Sequence, residues 1–141
     1  MLKGVPRILS PELLKILMEM GHGDEIVIAD ANFPAASNAQ RLVRADGLGT
    51  VEMLEAVMTL FPLDDFVCKP AALMAVVEGD EYIPELWPVY AGIIERGNPH
   101  FSEFETVDRF AFYERTQKAY AVVATGEKAR YANIILKKGI I

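Results

Sequence analysis

The segment Glu25-Ile26-Val27-Ile28-Ala29-Asp30 constrains the fold of this chain more than any other, because four apolar residues stand in a row between two carboxylates. Successive side chains of a strand point to opposite faces, so an unbroken apolar run needs cover on both. Such a strand belongs inside a sheet with helices on either side. Further short strands are predicted at residues 41–45, 72–77, 104–107, 120–124 and 133–136. Helices are predicted from Ser10-Pro11 to Met20, over 50–60, over 84–96 and over 109–118, from apolar side chains at helical spacing and from capping residues. Strands alternating with helices give an α/β fold. The expectation is a single-domain three-layer α/β/α sandwich over residues 1–141, with a mostly parallel, mixed sheet. Residues 30–40 read as a loop, and the short polar stretch between the last two strands predicts that these two pair antiparallel.

Composition narrows the function classes. The chain is 52% hydrophobic, high for 141 residues, yet it has no apolar run of the roughly 18 residues that a membrane span needs. The apolar surplus predicts a homo-oligomer, since interface cores are more apolar than other surface. A net charge of −6 argues against nucleic acid as a partner. The lone Cys68 excludes an internal disulfide and a multi-cysteine zinc site. His22 and His100 are too far apart in sequence to form a metal motif, so no metal is expected. The first residues lack the apolar segment of a signal peptide, which makes the cytoplasm the expected location.

Polar residues at the ends of strands are the candidates for chemistry, because open α/β sheets bind ligands outside the carboxyl ends of their strands. Asp30 stands at such an end; it can serve a site or cap its own loop. His22 lies between Gly21 and Gly23 ahead of the same strand. Histidine exchanges protons near neutral pH, with an unperturbed pKa of about 6.5. His22 can therefore be an acid/base or simply a cation near the end of a helix. It starts from the opposite end of the strand, and needs a folded-back loop or a neighbouring subunit to meet Asp30. Arg109 offers a planar fork of donors for hydroxyls or carboxylates, or a surface ion pair with Asp108 or Glu114. Tyr131 and Asn133, two residues apart on a strand, would present a hydroxyl and an amide on one face, with Ala132 turned away. No G-x-G-x-x-G, P-loop or G-x-S-x-G motif is present.

Six segments together resemble the D-ribose pyranase and L-fucose mutarotase family: Met20-Gly21-His22-Gly23-Asp24-Glu25, Asp30-Ala31-Asn32-Phe33-Pro34, Arg44-Ala45-Asp46-Gly47, Val77-Glu78-Gly79-Asp80, Arg109-Phe110-Ala111-Phe112-Tyr113-Glu114-Arg115 and Tyr131-Ala132-Asn133 with the Ile134-Ile135-Leu136-Lys137-Lys138-Gly139 that follows. They run nearly end to end, and the F-A-F-Y-E-R segment is closer to the fucose branch. The resemblance implies a cofactor-independent enzyme interconverting sugar anomers, with a monosaccharide substrate (L-fucose or D-ribose) and a ring-shaped homo-oligomer, often a decamer. It also implies that His22 is the catalytic acid and that Asp30, Arg109, Tyr131 and Asn133 contact the sugar. Asp30 is the first candidate for the second proton-transfer group, with Tyr131 the alternative. D-ribose pyranase activity and a non-catalytic monosaccharide-binding module on the same fold are the competing expectations.

Overall fold

The apolar run at residues 26–29 is a central strand. The computed structural model describes residues 1–141, with strands β1 (Glu25–Ala29), β2 (Leu42–Ala45), β3 (Ala71–Met74), β4 (Glu105–Val107), β5 (Ala121–Thr125) and β6 (Ile134–Lys137). The helices are α1 (Pro11–Glu19), α2 (Ala35–Asn38), α3 (Thr50–Met58), α4 (Leu86–Gly97) and α5 (Arg109–Lys118). All six strands join one sheet in the order β2-β5-β1-β6-β3-β4. Pairing is parallel for β1 with β5, β2 with β5 and β3 with β4; β6 runs antiparallel to both its neighbours, β1 and β3.

Alternation along the strands divides the core in two. Ile26, Ile28, Val123, Ile134 and Leu136 face a large cluster filled by Leu13 and Ile16 of α1, Met53 and Leu54 of α3, and Tyr90 and Ile94 of α4. Val27, Ala29, Val122 and Ile135 face a smaller cluster with Phe112 of α5 and Ala35 of α2. Helices thus cover both faces, in the three layers that the apolar strand requires. Arg115 ties the second layer to the sheet through a bidentate pair with Glu25 at 2.8 and 2.9 Å, and a bond to Glu105 at 2.7 Å. No helix is long and apolar enough to cross a membrane.

The expected elements are present, and the differences have local causes. Ser10 caps α1 by accepting from Leu13 N–H at 3.1 Å, as its sequence suggests. In α3 the cap is Gly49, whose N–H donates to Glu52 at 2.6 Å, while Thr50 turns inward and is fully buried. Helix α4 begins at Leu86, so Pro88 falls in a first turn whose N–H groups have no intrahelical acceptor. Residues 35–38 of the expected loop form the short α2. The expected pairing of the last two strands does not occur: β5 sits between β2 and β1, and β6 between β1 and β3. Their polar connection instead crosses the end of β1, where Ala31 N–H donates to Glu127 O at 2.9 Å.

That crossing passes close to the turn after β2. A Cβ built on Gly126 would lie 2.0 Å from the backbone oxygen of Asp46. Gly126→Ala should therefore destabilise the fold by about 1–3 kcal/mol, the usual cost of overpacking. Urea unfolding measures it, and an unchanged midpoint would contradict this packing.

Candidate active site

Strand β1 stops at Ala29, and the next backbone N–H, that of Asp30, leaves the sheet ladder. Asn133 takes it: Asn133 Oδ1 accepts from Asp30 N–H at 2.8 Å, and Asn133 Nδ2 donates to Asp30 Oδ2 at 3.0 Å. The other carboxylate oxygen accepts from Asn32 N–H at 2.9 Å. Asp30 therefore does cap its own loop, and it is also held across the sheet by the strand next door. Both residues are buried. Burial pushes the Asp30 carboxyl above its ordinary range, partly offset by the hydrogen bonds from Asn32 and Asn133. A carboxylate raised in this way is a better proton acceptor near neutrality than an exposed one.

Tyr131 and Asn133 do share a side, by a route other than strand alternation. They precede β6, and Tyr131 takes a left-handed backbone with φ 57°. Helix α4 holds this segment by its carbonyls: Trp87 Nε1–H donates to Tyr131 O at 2.8 Å and the buried Tyr90 hydroxyl donates to Ala132 O at 2.9 Å. Burial pushes the Tyr90 phenol well up, so it stays a protonated donor. Ala132 is fully buried.

Arg109 comes from the first turn of α5, which Asp108 caps by accepting from Phe110 and Ala111 N–H at 3.0 Å. Its Nε–H donates to Tyr113 Oη at 3.0 Å, leaving the Nη donors for a ligand. The ion pairs open to it in sequence do not form. Asp30, Arg109, Tyr131 and Asn133 line one cavity of about 220 Å³, with Arg130 and Tyr113 beside them. Drug-sized ligands occupy roughly 300–1,000 Å³, so this space suits a single small ring. A carboxylate, a guanidinium, a phenol and an amide around such a volume can hold several hydroxyls and exchange a proton with one of them. No cluster of three His, Cys, Asp or Glu side chains is placed to hold a metal ion.

His22 is not in this cavity. It lies at the other end of the sheet, where Gly23, at φ 87°, turns the chain so that its N–H donates to Lys138 O at 2.8 Å. Because β1 and β6 are antiparallel, Asp30 and Asn133 share one end, and His22 and Lys138 the other. Five strand residues at about 3.3 Å each separate the ends by roughly 16 Å. His22 is half exposed; its Nε2 lies 3.2 Å from Oδ1 of the buried Asp64, and its ring packs on Phe66 with centroids 5.2 Å apart. A carboxylate at Nε2 accepts an N–H proton there and orients the ring, and a protonated imidazolium in this setting keeps its Nδ1–H for another partner.

Comparison with known proteins gives this arrangement its relatives. The model of the RbsD / FucU transport protein family matches residues 3–141. The chain belongs to that family. Within the RbsD / FucU family it is 50% identical over 140 residues to an L-fucose mutarotase of Actinobacillus pleuropneumoniae, with 99% of this chain and 97% of that protein covered. The fold is similar to that of a Streptococcus pneumoniae fucose mutarotase solved in complex with L-fucose, at a TM-score of 0.92, 51% identity and 99% coverage of both chains. Bacillus subtilis RbsD, solved with D-ribose, is more distant, at a TM-score of 0.71 and 26% identity, with 100% of this chain and 99% of that one covered.

The sequence named four of the polar residues that line the cavity as site residues, but not Asn32, Tyr113 or Arg130 beside them, nor what holds them. Trp87 and Tyr90 were not singled out in the sequence; their carbonyl partners show what they do. Asp64 and Asp80 carried no periodic or motif signal beyond Asp80's place in Val77-Glu78-Gly79-Asp80. Phe110 is largely exposed next to Arg109, while Phe112 is fully buried. Asn133→Ala should destabilise the fold by about 1–3 kcal/mol, since it orphans the buried Asp30 N–H. Chemical denaturation tests this, and a change below about 0.5 kcal/mol would mean that Asn133 does not hold Asp30.

Proposed function

We propose that this chain is an L-fucose mutarotase, an isomerase that interconverts the α and β anomers of L-fucose without a cofactor. The observation that carries the reading is a ring-sized cavity with a buried, raised carboxylate facing an arginine and a phenol, in a chain half identical to fucose mutarotases. Residues 1–141 act as one sugar mutarotase domain.

Anomer exchange needs two proton transfers. The ring oxygen takes a proton as its bond to C1 breaks, and the C1 hydroxyl loses one as the carbonyl forms; closure on the other face reverses both. Each well-placed transfer contributes about 10²- to 10⁴-fold in rate. Asp30 is the base for the C1 hydroxyl, directly or through one water. Arg109 and the second amide hydrogen of Asn133 orient the sugar hydroxyls, which lowers the entropic part of the barrier.

The acid is His22, supplied by a second copy. Proton transfer requires heavy atoms about 2.6–3.2 Å apart or one bridging water, and within one chain the sheet separates His22 from the cavity by several times that. Exposed apolar side chains flank both ends: Phe66 packs on His22, Val77 lines the cavity, and Phe110 lies beside Arg109. Docking one end on the other is a head-to-tail contact, which closes into a ring when the rotation allows. The family resemblance supports a decamer. A cytoplasmic location fits the exposed thiol of Cys68.

Saturation-transfer proton NMR on L-fucose, with D-ribose in parallel, tests the activity. Faster exchange between fucose anomers than in buffer is expected, and His22→Ala should lower the added rate by about 10²-fold or more with the oligomer intact. Acceleration of ribose pyranose–furanose exchange alone would make the chain a ribose pyranase instead. Binding of fucose at the spontaneous exchange rate would make it a sensor. The raised Asp30 carboxyl sets the acid limb: protonation removes the base, so the rate should fall on acidification before the ordinary aspartate range is reached. A rate that is flat down to that range would remove Asp30 from the role.

A further inference from the structure

Tyr131 is the only non-glycine residue with positive φ, a conformation that costs free energy and persists where the surroundings over-determine it. Trp87 and Tyr90 fix the backbone of its segment. Its side chain is fixed by something else. The Tyr131 hydroxyl donates to Asp80 Oδ2 at 2.7 Å, and Val77 N–H reaches the same phenol oxygen at 3.3 Å. Asp80 is itself built in: Oδ1 accepts from Tyr82 N–H at 3.0 Å, and Oδ2 also pairs with Arg130, whose guanidinium lies 4.9 Å from the Tyr82 ring centroid.

A phenol has one proton and two lone pairs. Here the proton goes to Asp80 and one lone pair faces Val77 N–H, which leaves one lone pair for the cavity. Resting on the mutarotase reading, we propose that Asp80 is a positioning residue for sugar recognition: it commits the Tyr131 proton, so that Tyr131 meets the sugar only as an acceptor and selects a hydroxyl that donates. The Tyr131 hydrogen bond, with help from Tyr82 N–H and Arg130, holds the Asp80 carboxyl below its ordinary range, which keeps it an acceptor. Tyr131 is then not the acid that protonates the ring oxygen. A deoxyfluoro sugar with fluorine at the selected position cannot donate and is discriminated against.

The test is a double-mutant cycle of Asp80→Ala and Tyr131→Phe on the full chain, reading KM and kcat of anomer exchange and the Kd of L-fucose and its monodeoxyfluoro analogues. Asp80→Ala should raise KM about tenfold, the scale of one lost hydrogen bond to a charged group, with kcat within about threefold. It should add nothing in the Tyr131→Phe background. One fluoro analogue should bind about tenfold more weakly than fucose to the wild type, and less than threefold more weakly to Asp80→Ala, where the freed hydroxyl can donate. Asp80→Asn, which keeps an acceptor and the loop turn, should recover most of the KM. Loss of kcat at unchanged KM, a penalty that persists in Tyr131→Phe, or equal discrimination in all variants overturns the proposal. If the wild type binds L-fucose but does not speed its exchange, the mutarotase reading fails and the same cycle is decided on Kd. Absence of L-fucose binding overturns both.

Discussion

The antiparallel pairing of β1 with β6 is the constraint on which the rest of this structure depends. It brings Asn133 against Asp30 at one end of the sheet, with bonds of 2.8 and 3.0 Å that no neighbour in sequence could make. The same pairing carries His22 to the other end, beside Lys138 and Asp64. Register alone therefore builds half of the proposed proton-transfer site and sends the other half away. An apolar strand covered on both faces cannot slip by one residue without turning every side chain over, so this division is fixed as firmly as the core.

Each end of the sheet is held by its own network of hydrogen bonds. Asn133 offsets part of the cost of burying Asp30, yet the carboxyl stays raised because burial outweighs its hydrogen bonds. Trp87 and Tyr90 reach from α4 to the carbonyls of Tyr131 and Ala132, which couples the packing of that helix to the placing of the phenol. At the far end Asp64, itself bonded to Phe66 N–H at 3.0 Å, orients the His22 imidazole. Pre-organisation of this kind removes motions that would otherwise be ordered during the reaction.

Local signals in the sequence were read correctly where they act locally. Glu25–Ala29 has its expected bounds, Ser10 caps its helix, and helices lie on both faces of the sheet. Asp30, Arg109, Tyr131 and Asn133 were found as strand-end and helix-start polar residues, and they do share a cavity. Long-range pairing was harder to read. The polar stretch before Asn133 looked like a hairpin connection, whereas Glu127 anchors it across the end of β1 and Tyr131 turns with positive φ. Asp64 was not singled out, and Asp80 only as part of Val77-Glu78-Gly79-Asp80, for the same reason: a loop aspartate has no periodicity, and the partners, 42 and 51 residues away, are set by tertiary structure.

The central claim, that the site is divided between two copies, is tested most directly by complementation. His22→Ala and Arg109→Ala each disable one half of the site, so either variant alone should be inactive. Unfolded together and refolded into mixed assemblies, they should regain about a quarter of the wild-type anomer exchange, because a random contact joins an intact His22 end to an intact cavity about one time in four when heterologous contacts form the ring. A mixture that stays inactive while mass spectrometry shows mixed assemblies would place His22 and the cavity in the same chain's site, and would contradict this account.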